Sequence, residues 1–395
     1  MRGQRISLSC VAVATLTVAA LAAAQEFELA PVVGPVRPGE RPEGVEVLVG
    51  LMAGIDSNPG RAASGTETSD VVGEAFAGLA ASRGNSRLGC RISAEARAVR
   101  FADQEESNWE EGLVGVHAGW TSRRLRLAMN GRLALMADPV DAEALSFGVL
   151  ERQVLSYAPE VSFLSGRSEL GISYRGESVE HALQTFRHLD RRDAAVELEL
   201  CRRAEGGGRY FARFDSGGVD YDIFDPASPR YDFDRQMACV GWRMSTPRGS
   251  AFEIALGAEE VESGDFGDES GLYVSVRSAR ALERNNSVLE AAYIRRVEAS
   301  ATADFKTASR LMLRYSRAAS SRLRWSATLR SESSDLTNPD DPSDDSLYNL
   351  GADIGLERFL GSPSGWHGRF DIKVGFESSD LHERLRVLAG IALAR

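Results

Sequence analysis

The chain has 395 residues, 43% of them hydrophobic and 26% charged, with 38 glycines, 13 prolines and a net charge of −11. Of its 46 cationic residues only Lys306 and Lys373 are lysine, and the acidic balance excludes the broad basic surface that nucleic-acid binding requires. Beyond residue 24 no apolar run reaches the ~18 residues of a membrane helix, so a helical membrane protein is excluded.

At the start of the chain, Arg2 and Arg5 form a positive segment, Ile6 to Leu21 an apolar one, and Ala22-Ala23-Ala24 a small-residue cleavage site. Together they predict a secretory signal peptide over 1–24. Its removal takes the net charge to −13, because both of its charges are arginines. Cys90, Cys201 and Cys239 then remain, an odd and widely spaced set without CxxC or zinc spacing. Residues 25–44 carry four prolines and no periodicity and are expected to form a periplasmic linker.

From Val45 onward apolar and polar residues alternate, the signature of strands with two different faces. In Arg87 to Phe101, Leu88, Cys90, Ile92, Ala94, Ala96 and Ala98 share one face, opposite Arg91, Ser93, Glu95 and Arg97. In Arg124 to Met136, Leu125, Leu127, Met129, Leu133 and Leu135 oppose Arg126, Asn130 and Arg132. Similar segments recur at Phe252–Ala258, Phe305–Tyr315, Leu323–Leu329, Tyr348–Leu356, Gly368–Phe376 and Leu385–Leu393. Short connections, such as Ser122–Arg123 and Ser165–Arg167, take turns with longer polar ones near 56–68, 102–108, 137–152, 178–192, 218–231, 262–269, 298–303, 333–345 and 378–383.

A soluble β-sandwich or propeller also alternates, but its strands average about 5–6 residues. The segments here are longer and suit a tilted membrane strand of about 9–11 residues. Trp120, Trp242 and Trp366 lie beside short connections, and Trp109 and Tyr231 beside long ones, as an interfacial aromatic girdle requires. The expected fold is all-β: a single transmembrane antiparallel up-and-down β-barrel over 45–395. It has about 18 strands, with 16 as the alternative because register is weakest in Val45–Gly54 and Ser287–Val297.

Turning the apolar face outward places Arg91, Arg97, Arg126, Arg132, Arg175, Arg213, Arg310, Arg314, Arg330 and Arg369 in an aqueous lumen, with Arg243 and Arg324 beside them. Glu95, Glu111, Glu169, Glu197, Glu199, Glu253, Asp353 and Asp371 share that interior. Guanidinium groups stay charged and grip carboxylate or phosphate with two parallel hydrogen bonds, so an arginine lining favours anions, acidic sugars included. The alternative is that arginines and acids pair across strands and simply hydrate the wall. Acid otherwise gathers in the expected outer loops, at 103–106, 259–269 and 338–345. No stretch there has the central glycine and terminal glutamate of an EF-hand, and solvated loops without a metal are expected.

Catalytic patterns are thin. His181, His188 and His382 fall in expected loops, His117 and His367 point inward, and HExxH, GxSxG and Walker patterns are absent. Neither an enzyme nor a cofactor is expected.

One short stretch adds a resemblance. Gly54-Ile55-Asp56-Ser57-Asn58-Pro59 resembles the GxDSN stretch of the outer-membrane β-barrel porin family associated with exopolysaccharide and capsule loci. Ser287 to Ser333 is similar to that family in order: Tyr293-Ile294-Arg295-Arg296, then Ser300, then a strand of the form SxRLxWSxxLRSES. The resemblance implies a channel for passive passage of hydrophilic solute, with export of a secreted polysaccharide as its narrower form. Outer-membrane lipid, the assembly machinery and periplasmic export components are the implied partners. A general diffusion porin, and a structural or surface-binding barrel plugged by its loops, are the alternatives. The chain departs from such barrels in ending Leu393-Ala394-Arg395, where an aromatic residue is usual. By their own chemistry Asp56, Ser57 and Asn58 are expected to make a turn at the outer end of the first strand.

Overall fold

Alternating side chains close this chain into one continuous sheet. The computed structural model describes residues 44–58, 68–84, 87–136, 151–182, 187, 189–205, 207–222, 232–246, 250–263, 267–282, 287–299, 305–320, 322–337, 346–360, 367–379 and 383–394. The expected signal peptide and nearly all of the expected linker lie outside them.

The strands are β1 (Gly44–Asp56), β2 (Asp70–Gly84), β3 (Leu88–Phe101), β4 (Trp109–Thr121), β5 (Leu125–Met136) and β6 (Arg152–Ser165). They continue with β7 (Ser168–His181), β8 (Arg191–Arg203), β9 (Gly208–Tyr221), β10 (Phe233–Ser245), β11 (Ala251–Ser263) and β12 (Gly267–Leu282). The last six are β13 (Ser287–Ala299), β14 (Phe305–Ser320), β15 (Leu323–Thr337), β16 (Ser346–Leu360), β17 (His367–Ser379) and β18 (Glu383–Ala394). One 3-10 turn, Glu105–Ser107, lies between β3 and β4.

Each strand pairs antiparallel with its chain neighbours, and β1 pairs with β18, so the 18-stranded sheet is a closed barrel. Closure leaves no open edge, which is how a sheet satisfies all its backbone groups without a covering layer. The first strand starts at Gly44, one residue before the expected boundary. The 16-strand alternative is set aside, since both weakly patterned segments form strands.

Connections at the end that carries the chain termini are short. One two-residue connection is Gly166-Arg167, where Gly166 has φ 57°, a left-handed conformation that costs glycine nothing. At the opposite end the connections are mostly longer, with exceptions. Residues 264–266 and 380–382 are as brief as the turns. The expected acidic loop at 259–269 is therefore mostly strand: Glu259, Glu260 and Glu262 belong to β11, and Asp268 and Glu269 to β12. The cluster at 338–345 lies outside the described residues.

Candidate functional site: the barrel lumen

Successive strand residues point to opposite faces of the wall, and the two faces differ in chemistry. The outward face is aliphatic: Leu51, Val240 and Ile391 are 63%, 64% and 65% exposed, and Ile55, Ile92, Leu135, Leu200, Leu256 and Ile354 share their surroundings. Near the short turns this face carries Trp120, Phe163, Tyr210, Trp242, Phe252 and Trp325. Trp242 and Phe252 are in ring contact at 5.8 Å, and Tyr315 and Trp325 at 4.9 Å. Trp109, expected in an outer girdle, instead faces inward against Val99 and packs with Val72 and Phe101. Tyr231 and Trp366 lie outside the described residues.

The inward face is ionic. Arg91, Arg97, Arg126, Arg132, Arg175, Arg213, Arg243, Arg310, Arg314, Arg324, Arg330 and Arg369 all occupy inward positions, and carboxylates stand close to them. Arg91 pairs with Glu46 at 3.1 Å, Arg97 with Glu74 at 3.4 Å, and Arg126 and Arg209 both with Glu169 at 3.1 and 2.7 Å. Arg213 and Arg243 share Glu199 at 2.7 and 2.6 Å. Asp215 bonds Arg175 and pairs with Arg235 at 3.4 Å. Arg330 meets Asp353 at 2.6 Å, and Arg369 meets Asp371 at 2.8 Å. Arg314 and Arg324 lie 3.8 and 3.7 Å from Glu290 and Glu357. Arg132 shares the face beside Asn130, which is hydrogen bonded to His117 Nδ1.

Some of these pairs join adjacent strands, as Arg97–Glu74 and Arg213–Glu199 do, and others reach over one intervening strand, as Arg126–Glu169 and Arg243–Glu199 do. The wall is therefore a lattice of opposite charges rather than an arginine stripe. Its partly exposed pairs contribute about 0.2–1 kcal/mol each to stability. Their larger effect is to hydrate the lumen and cancel most of its field.

At one place the wall is interrupted. β12 and β13 pair only from Val274–Arg295 to Leu282–Ser287. Beyond Arg295 the outer end of β13 leaves β12 and leans over the lumen, carrying β14 with it. Alternation would turn Val297 outward, yet it is 3% exposed and packs with Val219, Phe233 and Val261, all inward residues of β9, β10 and β11. Two lumen side chains hold its backbone: Val297 N–H donates to Glu259 Oε2 at 2.8 Å, and Arg235 Nη1 donates to its carbonyl at 3.1 Å.

The same hairpin carries a compact charge cluster. Glu298 accepts from Arg296 and Arg310, each at 2.6 Å, and Glu332 on β15 accepts from Arg310 at 3.0 Å and Lys306 at 3.4 Å. Lys306 is among the largest fully buried side chains of the barrel. This cluster lies toward the long-loop end of the barrel.

Sequence reasoning left several of these residues out. Arg235, Arg296, Arg384, Arg386 and Lys306 are inward. Glu259 had been expected in a loop, as had His181. His181 ends β7, is buried, and its Nδ1 lies 2.9 Å from Asp190. Extending the period-two pattern to 259 and 181 would have found both. Nothing in the pattern announces the departure of β13. Cys90 faces outward, and Cys201 and Cys239 are free thiols on the inner wall. Among the described residues no group of His, Cys, Asp and Glu has metal-binding geometry. The 102–108 loop is anchored rather than loosely solvated, since Asp70 accepts the Asp103 and Gln104 N–H groups at 2.9 and 2.8 Å.

No family model and no curated protein matches this sequence. Among solved structures the chain is similar to OccAB3 of Acinetobacter baumannii, with 10% identity over 89% of this chain and 98% of that one and a TM-score of 0.43. It is also similar to the outer membrane protein opdK of Pseudomonas aeruginosa, with 8% identity over 89% and 99% and a TM-score of 0.44. The siderophore receptor PirA of Pseudomonas aeruginosa matches with 9% identity over 90% and 81% and a TM-score of 0.41. Similarity at this level adds nothing to the barrel geometry itself.

Proposed function

We propose that this protein is an outer-membrane channel for the passive passage of hydrophilic solutes. One observation carries the proposal: a closed sheet separates an aliphatic outer face from an ionic inner face. A belt of exposed leucine, isoleucine and valine on this scale belongs in hydrocarbon rather than water. A closed barrel can sit there because none of its backbone groups needs water. The ring of about 18 strands is too wide for side chains to fill, so water and small polar solutes have room inside. The expected signal peptide at 1–24 and linker at 25–44 fit this location, with the chain termini and short turns on the periplasmic side.

Charge pairing along the wall favours a general, weakly selective pore over a strongly anion-selective one. Polysaccharide export rests on the family resemblance at Gly54–Pro59 and Ser287–Ser333 alone. A second proposal, a barrel closed by its own hairpin, is favoured by the lean of β13 and β14 over the lumen.

Planar-bilayer recording of the purified protein decides between these. Stepwise conductance with an anion-to-cation permeability ratio near one is the expected result. Absence of conductance at every voltage overturns the channel and leaves the closed barrel. Heat-modifiable migration in gels, expected of a membrane barrel, separates both from a soluble protein.

A further inference from the structure

The Asp56-Ser57-Asn58 triplet makes more than a turn. All three residues reach across to β18, at the point where the first and last strands meet. Asp56 has no exposed surface and accepts from Arg384 Nε at 3.0 Å and Nη2 at 2.6 Å. Ser57 exchanges two bonds with Leu385: its N–H donates to the Leu385 carbonyl at 2.8 Å, and its Oγ accepts the Leu385 N–H at 2.7 Å. Asn58 Nδ2 donates to the Glu383 carbonyl at 3.0 Å, while its own N–H returns to Asp56 Oδ1 at 3.1 Å. The strand ladder between β1 and β18 ends at Asp56–Arg386. The triplet therefore continues the pairing past the last register pair, through one backbone bond of Ser57 and the side chains of all three residues.

Chain connectivity explains why this strand pair needs such help. Every other neighbouring pair in the barrel is joined by a turn or loop, which limits how far its strands can slip or separate. β1 and β18 are held by no such connection. They meet only after the whole chain has been ordered, the entropically most distant closure in the sheet. A one-residue slip here would exchange the aliphatic and ionic faces of a strand. Gly54 adds a steric marker, because a Cβ at that position would lie 1.7 Å from the Val387 carbonyl oxygen. Further along the same face, Arg386 lies 3.7 Å from Glu74, which also meets Lys373 at 3.9 Å. Charges from β1, β2, β17 and β18 thus converge on the seam.

We propose that Asp56-Ser57-Asn58 is the closure latch of the barrel, fixing the register of β1 on β18 and holding the seam shut. Hydrogen–deuterium exchange on the folded protein in detergent tests it, with peptides covering 48–56 and 386–394 compared against peptides from β6 and β7. Asp56→Asn is expected to speed exchange at the seam at least about tenfold, while leaving β6 and β7 unchanged. Ser57→Ala, which keeps the buried ion pair, is expected to give a smaller increase confined to the same peptides. If Asp56→Asn does not fold, Ser57→Ala and Arg384→Lys supply the readout. Seam exchange that is unchanged, or raised equally around the barrel, overturns the latch.

Discussion

At two strand junctions of this barrel the end of the backbone ladder is handled in opposite ways. At the β1–β18 seam the Asp56-Ser57-Asn58 side chains extend the pairing, and the wall stays closed. At the β12–β13 junction β13 turns inward after Arg295, and Glu259 and Arg235 receive the backbone groups of Val297. Both solutions obey one requirement: a buried N–H or carbonyl must have a partner. Inward side chains that bridge two adjacent strands preserve the wall, and inward side chains of β10 and β11 that bond the backbone of β13 draw that strand away from it. The first arrangement builds a continuous cylinder, and the second builds the feature inside it.

Breaking each junction should show how differently the two are built. The largest effect is expected at the seam. Asp56→Ala leaves the Arg384 guanidinium buried without its carboxylate, and losing one member of such a pair costs about 3–5 kcal/mol. The unfolding midpoint in detergent should fall accordingly. Asp353→Ala is the control, since Asp353 and Arg330 are 47% and 39% exposed and such pairs are worth at most about 1 kcal/mol. Equal losses at the two sites would make the seam an ordinary ion pair.

At the inward hairpin, Glu259→Ala removes the acceptor of a buried N–H, at a cost of about 1–3 kcal/mol. The expected outcome is a released hairpin and a larger single-channel conductance, with the unfolding midpoint falling less than in Asp56→Ala. An unchanged conductance would mean that β13 and β14 do not narrow the conducting path.

Much of this architecture is legible in the sequence, and the reason is periodicity. A strand with one face in lipid and one in water must alternate, so Leu125 to Met136 declares both its conformation and its orientation. The inward arginines follow from the same rule, and so does their interleaving with acids. Pairing was less accessible, because which acid meets Arg213 or Arg310 depends on register between strands. The departure of β13 left almost no trace. Val297 is apolar at an outward position, as a wall strand requires, and only its neighbours in space reveal that it packs on the inner face of β9 to β11. The Asp56-Ser57-Asn58 stretch was visible as a motif and as a turn, yet its partner lies 328 residues away. No local pattern announces a contact at that separation.

Ion selectivity extends the comparison from stability to transport. Glu298→Gln takes one charge from the hairpin cluster, and Glu74→Gln takes one from the seam network. If the hairpin sets the narrowest part of the lumen, Glu298→Gln should shift reversal potentials toward anions and Glu74→Gln should shift them far less. Arg126→Gln is expected to have little effect, because Arg209 stays 2.7 Å from the same Glu169. A larger shift from Arg126→Gln than from Glu298→Gln would move the selective region to the wall of β5 and β7.

The smallest expected effect isolates packing from hydrogen bonding at the hairpin. Val297→Ala keeps the backbone that Glu259 and Arg235 hold but removes two methyl groups from contact with Val219, Phe233 and Val261. By transfer free energy that loss is about 1–2 kcal/mol, and it falls on the attachment of the hairpin rather than on the cylinder. The unfolding midpoint should barely move, while brief openings to the larger conductance of Glu259→Ala should become more frequent. Combined with Glu259→Ala, the substitution should add little, since a hairpin already released has no packing left to lose. Additive effects of the two changes would mean instead that Val297 and Glu259 act on different parts of the wall. The inward course of β13 would then not be a single attached unit.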